Sequence, residues 1–132
     1  MQDTLLAMTS DFDSAFDQLK TVFGGHLRHL VVSQDTSSIF SVTGRKPSPF
    51  PQHKGHPMWF GSVRKGKAYV SLHLMPLYMN PPLLKAVPPA LKTRMQGKTC
   101  FNFKAAPEPE VLKQIRQLVQ AAMKDWTAKK YL

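Results

Sequence analysis

Between residues 68 and 74 apolar and polar side chains alternate without a break: Ala68, Val70, Leu72 and Leu74 fall on one side of an extended chain, Tyr69, Ser71 and His73 on the other. Such a segment belongs to a sheet with one covered face, so the rest of the chain must supply the cover. Met58 to Val63 is its partner strand across the turn Arg64-Lys65-Gly66-Lys67. The cover comes from the two ends, where the apolar period changes from two to that of a helix. Phe12, Phe16, Leu19 and Phe23 repeat at helical spacing after Ser10, which with Asp13 makes a capping-box-like start. Gly24-Gly25 offers a left-handed stop, giving a first helix over residues 10–23. Near the other end Val111, Leu112, Ile115, Leu118, Val119, Ala122 and Trp126 form one stripe. Glu108-Pro109-Glu110 opens it and Lys129 and Lys130 follow it, charges that suit the two poles of a helix.

The remaining segments are shorter. Leu30 to Ser33 and Ile39 to Thr43 are β-rich runs joined by a polar turn, and Gly44 to Pro57, with four prolines and no apolar period, is expected to be a long basic loop. After Pro88-Pro89 a short helix is expected over Ala90 to Met95, ended by Gly97. Lys98 to Lys104 then reads as a strand with Phe101 and Phe103 pointing inward. The fold class expected is α+β: a two-layer sandwich of about five mostly antiparallel strands, with the N- and C-terminal helices packed on one face. Its expected core is Phe12, Phe16, Leu19, Phe60, Val70, Leu72, Phe101, Phe103, Ile115, Leu118 and Val119. The chain of 132 residues suits one domain, taken as residues 10–127 between a tail at 1–9 and a basic tail at 128–132.

Charge is segregated along this plan. All eight acids lie in the flanks, so residues 36–107 hold eleven lysines and arginines, with His53, His56 and His73, and not one carboxylate. The net charge is +10, and a surface carrying such unopposed cations favours anionic partners. No leader of signal type and no run of about 18 apolar residues is visible, and the single Cys100 has no partner for a disulfide or a Cys-based zinc site. A cytoplasmic protein that neither spans nor binds a membrane, with no cofactor, is expected.

Three stretches carry a resemblance: Trp59 to Val63, Tyr69 to Tyr78 with its Leu72-His73-Leu74-Met75-Pro76-Leu77 centre, and Arg94-Met95-Gln96-Gly97-Lys98-Thr99-Cys100-Phe101-Asn102-Phe103. Together they resemble the YdhG-like family of small bacterial proteins, over residues 10 to 127. The resemblance implies a helix–sheet–helix sandwich, and some members of that family are described as frataxin-like iron chaperones.

The residues themselves speak for another chemistry. Iron at a protein surface wants carboxylates, and here only Asp11, Asp13 and Asp17 on the first helix offer them, where they also suit the helix start. Cys100 and His73 make a conceivable nucleophile and base, but no acid in the middle segment can orient the imidazole, so no enzyme is expected. His53 and His56, even with His26 or His29, read as solvated loop residues, and no metal site is expected. Met58, Met75, Met79 and Met95 read as adaptable core filler, with Met75, Tyr78 and Met79 able to line an apolar groove if the second sheet face is open. The expected site is an anion-binding one, formed by Arg94, Lys98 and Lys104 beside Tyr69, His73 and Asn102 on the face opposite the core. Its partner would be an anionic small molecule or an acidic protein. Non-specific nucleic-acid association is the alternative that the same charge allows.

Overall fold

A computed structural model describes residues 10–132, so the expected tail at 1–9 lies outside the described residues. Helix α1 (Asp11–Lys20) begins at Ser10, whose hydroxyl accepts from the Phe12 backbone N–H at 3.0 Å, with Asp11 and Asp13 in the first turn. The chain does not stop at Gly24-Gly25 as expected. It tightens into a 3₁₀ stretch over Thr21–His29, and neither glycine is left-handed. Phe23, fully buried against Phe40 and Phe60, holds this stretch on the sheet, so packing rather than a glycine cap carries the chain onward.

Strands β1 (Val31–Asp35), β2 (Ile39–Pro47), β3 (Pro57–Lys65) and β4 (Val70–Leu74) follow as consecutive antiparallel neighbours. β2 runs on to Pro47, so the proline-rich loop is shorter than expected, 48–56, and contains a 3₁₀ turn at Pro51–His53. Ala68 lies before β4 begins and is exposed. Three short helices come next, α2 (Met75–Met79), α3 (Pro81–Lys85) and α4 (Pro89–Lys92), each with proline in its first turn. Then β5 (Met95–Gln96) and β6 (Cys100–Phe103) form a hairpin, and α5 (Pro109–Ala128) closes the chain. The sheet order is β1-β2-β3-β4-β6-β5, antiparallel throughout.

The sheet thus has six strands rather than five. Gly97 does not end a helix; at φ 73° it turns the β5–β6 hairpin, a conformation glycine adopts without steric penalty. The helix ends earlier, at Lys92, which frees Met95 and Gln96 to pair with Phe101 and Cys100.

Register sorts the side chains into two faces. Phe40, Val42, Val63, Val70, Leu72, Leu74, Phe101 and Phe103 share one, all buried. Phe60 joins them because β3 carries an extra residue where Thr43 faces Trp59 and Val42 faces Gly61. Only glycine fits after it: a methyl on Gly61 would come within 2.6 Å of the His73 carbonyl oxygen. The terminal helices pack on this face, with Phe23 and Trp126 both against Phe60. Leu77, Val87 and Leu91 of the three-helix insert join the same core. The other face carries Trp59, Ser71, His73, Cys100 and Asn102, all partly exposed, with Ser41 and Ser62 small enough to be buried between their neighbours.

Every residue of the expected core is buried except Phe12, which packs at the core's margin. Replacing Phe60 or Phe101 by alanine should therefore lower the unfolding free energy, measured in urea, by about 3–5 kcal/mol. Phe12→Ala should lose clearly less, and an equal loss would contradict this core.

Candidate functional site

The β5–β6 hairpin and the start of β4 enclose an open cleft of about 510 Å3. Tyr69, Thr93, Arg94, Gln96, Asn102 and Lys104 line it, and no acidic residue does. Backbone geometry brings them together. Arg94 leads into β5, and its carbonyl accepts from the Asn102 N–H at 2.9 Å. Tyr69 enters β4, whose Val70 faces Phe103, so its ring comes beside Lys104.

Both cations are held by aromatic rings. The Arg94 guanidinium lies 4.9 Å from the centroid of Phe103, and the Lys104 ammonium 5.6 Å from that of Tyr69. Neither makes an ion pair among the described residues. The cleft floor is a polar network centred on Asn102. Its Oδ1 accepts from the Ser71 hydroxyl at 2.8 Å and from the Cys100 thiol at 3.2 Å, while its Nδ2 donates to Gln96 Oε1 at 2.8 Å. A carboxamide with both ends engaged is fixed in orientation. Two ring-supported cations lining one cleft can take a carboxylate or a phosphate, Arg94 through two parallel N–H donors.

Four of the six residues expected at the anion site, Arg94, Lys104, Tyr69 and Asn102, line this cleft. Lys98 does not: past Gly97 its ammonium turns the other way, to 5.8 Å from the Tyr78 ring. His73 does not either; its ring packs 5.9 Å from that of Trp59. Burial, with the nearby Arg64 charge, pushes the His73 pKa below its ordinary 6.5, so at neutral pH it brings no positive charge. Sequence reasoning missed Gln96 and Thr93. The alternation that exposes Asn102 points to Gln96 only once β5 is known to pair with β6.

Cys100 and His73 are directly opposite each other on β6 and β4, the two residues a thiol nucleophile and its base would need. Their bonding is of another kind. The thiol donates to Asn102 rather than meeting the imidazole. Burial pushes the Cys100 pKa up, only partly offset by Ser71. A raised thiol and a lowered imidazole oppose the thiolate–imidazolium pair that activates a cysteine. Among the remaining candidates, Asp13 is ion-paired with Lys65 of β3, which removes one of the eleven cations from the unopposed set. His53 Nδ1 lies 2.6 Å from the Ser48 hydroxyl, and no three His, Cys, Asp or Glu side chains converge among the described residues.

No protein family model, no curated protein and no solved structure matches this chain. Among the described residues no helix is long and apolar enough to cross a membrane.

A histidine whose folded pKa lies below its unfolded value binds fewer protons folded than unfolded, so it subtracts stability as pH falls through 6.5 toward the folded pKa. His26, lowered mainly by burial, acts in the same sense. His73→Gln should therefore flatten, without abolishing, the loss of melting temperature between pH 7 and pH 5, and NMR titration should put the His73 midpoint below 6.5. A midpoint above that value would contradict the half-buried environment.

Proposed function

We propose that this chain is a non-enzymatic binding protein of the cytoplasm that holds a small anion, a carboxylate or phosphate compound, in the β5–β6 cleft. The observation that carries this reading is the pair Arg94 and Lys104, each braced on an aromatic ring, flanking one cleft without a carboxylate in its lining. A cation already stacked on a ring loses little further freedom when it binds, so its contact with an anion keeps more of its free energy. The fixed Asn102 carboxamide adds orientation to charge. The absence of an activated thiolate at Cys100 favours binding over turnover. Membership of the YdhG-like family is part of the same proposal and rests on the three quoted stretches alone.

One observation favours a second reading, non-specific association with nucleic acid. His29, Arg45 and Lys46 line another cavity, of about 300 Å3, and Arg45 is held by a 2.7 Å bond to the Arg28 carbonyl. Two separated cationic sites suit a long polyanion better than one small ligand does. The iron-chaperone reading has no comparable support, since Asp13 is already engaged by Lys65.

The test is a thermal-shift titration with pyrophosphate and with citrate, on wild type and three cation variants. Arg94→Gln and Lys104→Gln should keep the wild-type melting temperature yet each weaken binding by about 1–3 kcal/mol, the worth of one charge-assisted contact. Lys98→Gln should bind as wild type does. Absence of any shift in wild type, or equal binding by all four proteins, would overturn the cleft. An effect that grows with polyanion length and collapses with salt would favour nucleic acid.

A further inference from the structure

The molecule has a second concave surface of different character. Between the 48–56 loop, the start of β3 and helix α2 lies a cavity of about 410 Å3, walled by Phe50, Met58, Trp59, Met75, Tyr78 and Met79. This volume falls in the range of about 300–1,000 Å3 that small-molecule pockets occupy.

Its walls are braced from outside. Phe50 packs on Tyr131, 5.8 Å between ring centroids, and edge-on against His53. Trp59 is held against His73 on the half-exposed sheet face. Met58 is buried, and Met75 and Met79 pack partly on the core, so their thioethers form a soft floor among aromatic rings. Tyr78 is the exception. At 63% exposure it is the most exposed large apolar side chain among the described residues, and it stands at the mouth.

Two polar features give the cavity an electrostatic sense. The Lys98 ammonium is 5.8 Å from the ring of Tyr78, itself a wall of the cavity, and the segment 36–107 contains no carboxylate to neutralise it. His53 contributes the other. Its Nδ1 lies 2.6 Å from the Ser48 hydroxyl, whose oxygen also accepts from the Phe50 N–H at 3.1 Å, so the ring is fixed in the cavity wall.

Flat apolar walls, polarisable sulfur, an imidazole in the wall and a cation beside the Tyr78 ring define one class of ligand. We propose that this cavity is a second binding site, for a small planar aromatic acid whose ring lies between Trp59, Tyr78 and the methionines and whose acidic group faces Lys98. The site is separate from the β5–β6 cleft, and it gives Lys98 and the methionine-rich insert a common purpose.

The probe is 2-naphthoate, titrated into the full chain with tryptophan fluorescence and calorimetry as readouts. Saturable binding at one site per chain is expected, with cyclohexanecarboxylate, which is not planar, binding more weakly. Tyr78→Ala and Lys98→Gln, both at exposed positions, should each weaken 2-naphthoate by about fivefold, the size of a single exposed cation–aromatic or charge contact, while leaving the melting temperature unchanged. Arg94→Gln should leave it within about twofold of wild type. No saturable binding, binding indifferent to both Tyr78→Ala and Lys98→Gln, or binding lost in Arg94→Gln would overturn the proposal.

Discussion

The ring of Phe60 lies between Phe23, after the first helix, and Trp126, on the last, with centroids 6.3 and 5.3 Å away. This three-ring contact fastens both ends of the chain to the middle of the sheet. It depends on the extra residue in β3 that turns Phe60 toward the helices, and on Gly61, where the β4 backbone leaves no room for a side chain. With one face fully committed to the core, polar groups collect on the other face and at its edges. The cleft and the aromatic cavity both lie where that second face meets the short elements around it.

Charge follows the same division. Lys65, on the helix side of the sheet, finds Asp13, and Lys20 finds Asp35 at 3.5 Å. The cations of residues 92–104 have no acid within their own stretch of sequence, and those near aromatic rings settle on them. Such contacts are individually weak, about 0.5–1 kcal/mol at exposed sites. Their importance here is positional: Arg94 and Lys104 share one concavity, while Lys98 sits beside Tyr78 instead.

Much of this was legible in the residue pattern because the two periods are strong. Val70, Leu72, Phe101 and Phe103 face inward as alternation requires, and the stripe from Val111 to Trp126 is buried along its length. Glycine chemistry was less legible, since one residue type serves several turns. Gly97 suits a helix stop and a hairpin reversal equally well, and a two-residue strand such as Met95–Gln96 has no period to betray it. Gly24-Gly25 looks like a stop, yet the burial of Val22 and Phe23 carries the helical chain through it. At the site, Tyr69 and Asn102 followed from strand alternation and Arg94 and Lys104 from charge. The direction of Lys98 did not, because a flexible side chain just past a left-handed turn is aimed by its tertiary neighbours rather than by its spacing.

The central claim is that the β5–β6 cleft, and not the basic surface as a whole, receives the anion. Amide chemical shifts followed by NMR during a pyrophosphate titration test it most directly, since every cationic region reports at once. The account predicts that Tyr69, Gln96, Asn102 and Lys104 move together to a common saturation point while His29, Arg45 and Lys46 stay still. Shifts led by His29, Arg45 and Lys46, or spread in proportion to every exposed cation, would contradict it.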